Sequence, residues 1–388
     1  MNVIPNGMNR REFLFAGAGA GVGLPLGVIG AKLATPSPAR SELLTLYPES
    51  SKYKPTPGNA FYVPVSDGHE IYVEQVGNPN GIPIVFLHGG PGYWFTEANK
   101  RFFDPDVYRI ILFDQRGANR SKPLGRLEGN TADKIVSDIE IIRKHKKVNV
   151  PKWNIFGGSW GALLARKYVN AHPESVSSLI LRALPPDRPE PRYDHLFGTS
   201  KRMYPDRYRN FMNPVAHLLP PGEPKHIDIL RAYFRLLTSD NRQTRENAVR
   251  SYEGIFVSNV IPPKEEETVT DRDIAEEQID SWFRIHDHFI EPGSLSNQEQ
   301  VNKIPDVPIC IIHGHVDLIT PYRTSEELYE MLLKTPGRNK ANVYLAPVDS
   351  GHASDEPFIR DRLIRATKAL PEKLSNNSTW PSLMGLPI

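Results

Sequence analysis

Residues 154–164 read Asn154-Ile155-Phe156-Gly157-Gly158-Ser159-Trp160-Gly161-Ala162-Leu163-Leu164. An apolar strand end runs into Gly-x-Ser-x-Gly, and a helix opens directly behind it and is stopped by Pro173. The glycines flanking the serine carry no Cβ, so the backbone can fold back on itself there. Such a strand-to-helix turn holds the Ser159 hydroxyl clear of a sheet. It also aims the first helical amides, Trp160 foremost, at any oxyanion that forms beside it. Because five-residue glycine-serine patterns recur by chance in loops, the reading rests on the surrounding chain.

Upstream, residues 61–65 and 70–76 read as a hairpin around Asp67-Gly68. The continuous apolar run 83–87 reads as a strand buried on both faces, and it ends in His88-Gly89-Gly90-Pro91-Gly92. Glycines straight after a buried strand let backbone N–H groups approach a bound atom, which makes Gly89 or Gly90 the candidate second oxyanion donor. A further strand at 108–113 closes in Asp114-Gln115-Arg116-Gly117, whose Asp114 and Arg116 read as loop-holding groups. A helix over 131–147 places Ile135, Ile139 and Ile142 on one face.

Downstream, a strand at 176–183 is followed by about 120 positions of helix and loop, with helices expected near 225–237, 245–256 and 271–290. The sheet pattern resumes at 307–312, continues through a helix at 324–333 and a strand at 342–346, and ends in a helix at 355–370 and an irregular tail. Alternating strands and helices specify an α/β fold with a mainly parallel central sheet flanked by helices. The chain divides into core at 40–183, an inserted helical cap at 184–303 over the C-terminal edge of the sheet, and core again at 304–388.

A serine hydroxyl is a poor nucleophile at neutral pH and needs a base, itself fixed by a carboxylate. Ser159, Asp317 and His352 come in that order, each just past a strand C-terminus, so parallel neighbours bring them to one edge. His313 and His315 beside Asp317 are weaker candidates for the base. Asp349 and Asp355 read as turn and helix-cap residues.

The first forty residues differ in character. Arg10-Arg11-Glu12-Phe13-Leu14 precedes a mildly apolar Ala/Gly stretch, the pattern of a twin-arginine export signal over 1–39, which places the protein in the periplasm or outside a bacterial cell. A membrane anchor is the alternative, although the stretch is short and glycine-loaded for a span. Removing these residues takes away Arg10, Arg11 and Lys32 against Glu12, bringing the formal charge of +2 near zero. That balance offers no electrostatic reason to expect nucleic acid or an anionic membrane as partner. The single cysteine, Cys310, sits in an apolar run and reads as a small buried hydrophobe.

Together His-Gly-Gly-Pro-Gly (88–92), Asp-Gln-Arg-Gly (114–117), Gly-Gly-Ser-Trp-Gly (157–161), Gly-His-Val-Asp (314–317) and Ser-Gly-His (350–352) resemble the proline iminopeptidase family of α/β-hydrolases, over about residues 60–370. The resemblance implies an α/β-hydrolase fold and release of N-terminal proline, or sometimes another residue, from small peptides with a free N-terminus. It implies an acyl-enzyme route with no metal and no cofactor. It also implies acidic cap residues that hold the substrate's α-amino group. The family's Trp-Glu-Gly segment is matched by Tyr252-Glu253-Gly254, making Glu253 the candidate amine binder. Its Arg-Ile-Glu-Asn-His segment appears as Arg284-Ile285-His286-Asp287-His288, with His286 in place of the glutamate and Asp287 as the remaining acid. On a helix, Asp287 would project about 100° away from position 286. An esterase or amidase of the same fold, and a binding protein that kept the fold without the activity, are the competing expectations. Related hydrolases that attack with an aspartate are disfavoured by Ser159.

Overall fold

The computed structural model describes residues 43–256 and 268–386. The export signal expected at 1–39 lies outside the described residues, as do residues 264–267, whose sequence Lys-Glu-Glu-Glu reads as an acidic connection. Among the described residues, eight strands form one sheet: β1 (Ala60–Pro64), β2 (Glu70–Gly77), β3 (Ile82–Leu87), β4 (Tyr108–Phe113), β5 (Trp153–Gly158), β6 (Val176–Arg182), β7 (Ile309–Gly314) and β8 (Val343–Val348). Their order is β1-β2-β4-β3-β5-β6-β7-β8. β2 runs antiparallel to β1 and β4, and every pair from β4 to β8 is parallel. Helices of eight or more residues are α1 (Ala132–Lys144), α2 (Trp160–Ala171), α3 (Pro205–Met212), α4 (His226–Leu237), α5 (Arg242–Phe256), α6 (Asp271–Ile285), α7 (Tyr322–Lys334) and α8 (Pro357–Ser375). No helix among the described residues is long and apolar enough to cross a membrane.

The apolar runs of β3, β4, β5 and β7 reflect burial on both faces. Successive side chains alternate. Val85, Leu87, Ile111, Phe113 and Ile155 pack with Ile135 and Ile139 of α1 and Leu163 of α2. Ile84, Phe86, Ile110, Leu112, Phe156 and Ile312 pack on the other side with Ile359, Leu363 and Ile364 of α8. Cys310 belongs to this second layer and is fully buried, which pushes its thiol up.

Between β6 and β7 the described chain contains helices and no strand. It has its own apolar centre, in which Phe211, Ile229, Tyr233, Val249, Tyr252 and Ile274 meet. The cap is tied to the sheet mainly through α6. Ile279 and Phe283 join the first sheet layer, and the Trp282 indole N–H donates to the Asn130 carbonyl at 2.9 Å.

Two segments depart from the sequence expectations. The helix expected over 271–290 stops at Ile285, and Asp287, His288 and Phe289 take φ values of 49°, 60° and 53°. Left-handed backbone at three successive non-glycine residues is costly, and it is held from outside. An Arg192 Nη1 donates to the Asp287 carbonyl at 2.9 Å, and the Tyr193 hydroxyl donates to the Arg284 carbonyl at 2.7 Å. The second departure is the tail. α8 continues through Pro371 to Ser375, and a short helix Trp380–Leu383 comes after it. Burial of Trp380, whose indole N–H donates to the Asn342 carbonyl at 3.0 Å, draws that segment onto the domain.

Glycine is required at the β5–α2 turn by close approach. A Cβ on Gly161 would run into the Leu87 carbonyl oxygen and lie 2.8 Å from that of His88, while one on Gly157 would lie 2.5 Å from the Gly161 carbonyl. Gly161→Ala therefore pushes α2 off β3. A fall in melting temperature of at least about 5 °C, or loss of soluble protein, is the expected outcome by thermal melt. An unchanged melt would show that the turn has slack.

Candidate active site

Ser159 sits between β5 and α2 with φ 54° and ψ −124°, a conformation costing on the order of 1–3 kcal/mol for a non-glycine residue. Its own N–H donates to the Arg182 carbonyl at 2.8 Å, and its carbonyl accepts from Ala162 N at 2.8 Å. Trp160 is the first residue of α2, so its N–H belongs to the four donors that a helix start leaves without an intrahelical acceptor. A positive helix end and an orphan N–H thus lie directly beside the serine.

The loop after β3 comes to the same place. A Cβ built on Gly89 would lie 3.6 Å from the Ser159 Cβ. His88 fixes this loop. The Gln115 N–H donates to His88 Nε2 at 2.9 Å, so the proton of the neutral ring sits on Nδ1, which lies 2.8 Å from the Gly89 carbonyl. Burial pushes the His88 imidazole down to about 4, so it stays neutral. Anchoring the Gly89 carbonyl fixes the plane of the Gly89–Gly90 peptide and turns the Gly90 N–H the opposite way. Gln115 also donates through Nε2 to the His88 carbonyl at 3.1 Å, and its Oε1 accepts from the Trp160 indole N–H at 2.8 Å. One glutamine therefore ties the two loops that carry Trp160, Gly89 and Gly90.

Asp317 and His352 lie in the loops after β7 and β8, and His352 Nδ1 is 2.8 Å from Asp317 Oδ2. Asp317 Oδ1 accepts from Ile319 N at 2.8 Å and Thr320 N at 2.9 Å, and Oδ2 also accepts from Thr320 Oγ1 at 2.7 Å. Burial alone would raise this carboxyl. The charge and hydrogen bond of His352 and a hydrogen bond from His313 outweigh burial and hold it well below the usual carboxylate range. The His352 loop is itself wrapped on the Glu356 carboxylate, which accepts from Ser350 Oγ and Gly351 N at 2.6 Å each and from Ala353 N at 2.9 Å. Buried Arg182 joins the two halves, because its Nη1 donates to the His352 carbonyl while its own carbonyl holds Ser159 N. With the Ser159 hydroxyl and a carboxylate-held imidazole both on its loops, this edge of the sheet has the parts for acyl transfer.

The other named residues fall into place around it. Asp114 is buried and held by Arg120 Nε at 2.6 Å, and Arg116 grips Asp138 at 2.5 and 2.8 Å; both stabilise loops. His315 is an exposed partner of Asp349 at 3.0 Å. Glu253 is half-buried near the end of α5. Its neighbour Tyr252 donates to Asp280 of α6 at 2.9 Å, and α6 rests on the 88–92 loop, where a Cβ on Gly92 would lie 3.1 Å from the Ile279 Cβ. Asp287 is in the left-handed turn and not on a helix, and its carboxylate accepts from the Tyr193 hydroxyl at 3.4 Å. His286 is exposed, packed between Trp282 and Phe289 at ring separations of 3.9 and 4.9 Å. His288 is buried 5.7 Å from the Trp160 ring, so the cap touches the nucleophile turn through this residue.

Sequence reasoning missed Arg182, Gln115, His88 and Glu356. Only Gln115 and His88 carried a signal, since both stand inside motifs that close a buried strand. Asp355, expected as a helix cap, is instead a buried carboxyl, and neither of its oxygens has a hydrogen-bond partner among the described residues. Burial pushes it up to about 6. A carboxyl raised on folding holds its proton more tightly in the native state, so it erodes stability as pH rises from the ordinary carboxylate range through about 6. Asp355→Asn should accordingly raise the melting temperature relative to the parent near about pH 8 and change it little near about pH 4. A difference independent of pH would contradict a net cost of ionising this carboxyl.

Residues 82–354 match the family model described as the alpha/beta hydrolase fold. A proline iminopeptidase of Xanthomonas citri is 36% identical over 329 residues, covering 83% of this chain and 98% of that protein. A proline iminopeptidase of Arabidopsis thaliana is 34% identical over 311 residues, covering 79% of this chain and 78% of that one. Among solved structures, a membrane phospholipase A described as a bacterial virulence factor superposes with a TM-score of 0.50 at 16% identity, covering 82% of this chain and 86% of that chain, a likeness of fold alone. On the breadth and identity of these matches, the chain belongs to the proline iminopeptidase family of α/β-hydrolase-fold proteins.

Proposed function

We propose that this protein is a serine aminopeptidase that releases N-terminal proline, or another N-terminal residue, from small peptides through an acyl-enzyme. The observation that carries the chemistry is the carboxylate-bound imidazole, His352 on Asp317 at 2.8 Å, on the loops of the sheet edge that also presents the strained Ser159. The names of the relatives carry the substrate class.

Ser159 Oγ attacks the first peptide carbonyl while His352 Nε2 takes its proton, leaving Nδ1–H on Asp317. The oxyanion is received by the N–H groups of Trp160 and of Gly89 or Gly90. His352 returns the proton to the leaving amine, and water then releases the amino acid by the reverse sequence. Glu253 holds the substrate ammonium, with Asp287 as the second acid. With His286 packed on aromatic rings where the family carries glutamate, more of the task falls on Glu253. Residues 1–39 serve as a twin-arginine export signal in this reading, which makes the export machinery a partner and the periplasm or exterior the working compartment. No metal and no cofactor enters.

Ser159→Ala should lower turnover by several orders of magnitude with an unchanged melt. Glu253→Gln should reduce kcat/KM for a prolyl arylamide at least about 30-fold while leaving 4-nitrophenyl acetate hydrolysis within about threefold, because only the amine loses its counter-charge. Equal loss on both substrates would place Glu253 in the fold and not in amine recognition. Near-normal activity of Ser159→Ala would end the nucleophile assignment.

A further inference from the structure

His313, at the end of β7, is a fully buried imidazole that takes no part in the proposed proton transfers. Its Nε2 lies 2.9 Å from the Thr320 carbonyl, which can only accept, so Nε2 carries a proton. Its Nδ1 lies 2.6 Å from Ser325 Oγ on α7. The same Nε2 is 3.3 Å from Asp317 Oδ2, the oxygen that His352 Nδ1 reaches at 2.8 Å. Thr320 completes the group, with Oγ1 2.7 Å from Asp317 Oδ2, 3.2 Å from His352 Nδ1 and 3.3 Å from His313 Nε2. Asp317 is thus shared by two imidazoles, one at the site and one behind it.

We propose that His313 is a positioning residue for the Asp317–His352 pair, a neutral imidazole whose Nε2–H is shared between the Thr320 carbonyl and Asp317 Oδ2. The Ser325 hydroxyl, donating to Nδ1, selects that tautomer. The consequences are two. Fixing the Thr320 carbonyl locks the turn whose N–H groups grip Asp317 Oδ1, so Oδ2 is aimed at His352. The N–H also draws negative charge away from Oδ2, which tempers how strongly the carboxylate stabilises the imidazolium on its other side. The other charged and titratable groups around the pair are Arg182 at the end of β6, Tyr322 at the start of α7 with its ring 5.8 Å from His313, and Asp355 and Glu356 at the start of α8. None of these is altered in the His313 variants. The inference rests on the Ser159–His352–Asp317 reading, and Ser159→Ala, assayed alongside, reports on that reading separately.

The test is the pH profile of kcat/KM for 4-nitrophenyl acetate, which does not depend on amine recognition. His313→Met removes the donor and keeps an apolar filling. Its acid limb should move to higher pH by about half a unit or more, and its rate should fall at least about tenfold. His313→Gln restores an N–H near Nε2 and should return the acid limb to its parental place with most of the rate. Folded variants that both keep the parental limb, or that lose rate equally without a shift, would reduce His313 to a packing residue and overturn the proposal. If His313→Met does not fold, nitrogen NMR of the histidine-labelled parent decides. His313 should carry its proton on Nε2 with Nδ1 bare, and Ser325→Ala should disturb that signal. An Nδ1–H tautomer would overturn the proposal.

Discussion

The left-handed backbone of Ser159 is the constraint on which the rest of the site depends. At φ 54° the serine is lifted off β5 and held at the head of α2, a geometry that relaxes unless neighbours over-determine it. Arg182 supplies much of that restraint. Its carbonyl takes the Ser159 N–H, its guanidinium fills the space beside Gly158 where a Cβ would fall within 2.6 Å, and its Nη1 grips the His352 carbonyl. A buried cation of this kind is costly without compensation. Burial lowers its pKa, and the negative charge of Asp317, Asp355 and Glu356 offsets that effect. Charge compensation and site geometry are thus one arrangement, because the carboxylates that compensate Arg182 also hold or flank His352.

Around this strut the site is assembled from four loops held by buried polar groups. His88 and Gln115 set the 88–92 loop and the Trp160 indole, the 317–320 turn sets Asp317, and Glu356 wraps the His352 loop. Charge-assisted bonds from backbone N–H to carboxylate recur, and such bonds are strong when buried. The cap reaches this assembly through α6 and through the left-handed turn that lays His288 against Trp160. The cap is therefore in direct contact with the turn that carries Ser159 and Trp160.

The sequence made the sheet legible, and with it the placing of Ser159, Asp317 and His352 past strand ends, because each rests on a local pattern. Apolar runs end in glycine turns, and Ser159, Asp317 and His352 each stand at one. The supporting groups were not legible for a physical reason. Arg182 and Glu356 are ordinary charged residues whose targets lie on other strands, so nothing local distinguishes them from surface charges. The 287–289 turn was read as helix because Asp-His-Phe contains no glycine to announce a positive φ; Arg192, about a hundred positions away, is what holds it. The tail after residue 370 reads as irregular, yet α8 passes Pro371 because buried Leu370 and Trp380 pin the chain on either side of it. Where Glu253 comes to lie depends on how α5 and α6 meet, which periodicity alone does not specify.

Steady-state hydrolysis of prolyl-4-nitroanilide and N-acetyl-prolyl-4-nitroanilide, with 4-nitrophenyl acetate as reference, tests the central claim most directly. Efficient cleavage of the free prolyl compound and rejection of its acetylated counterpart is the predicted result, since a carboxylate in the cap can hold only the charged amine. Turnover of the acetate with neither prolyl compound cleaved would contradict the aminopeptidase assignment and leave an esterase on the same catalytic scaffold.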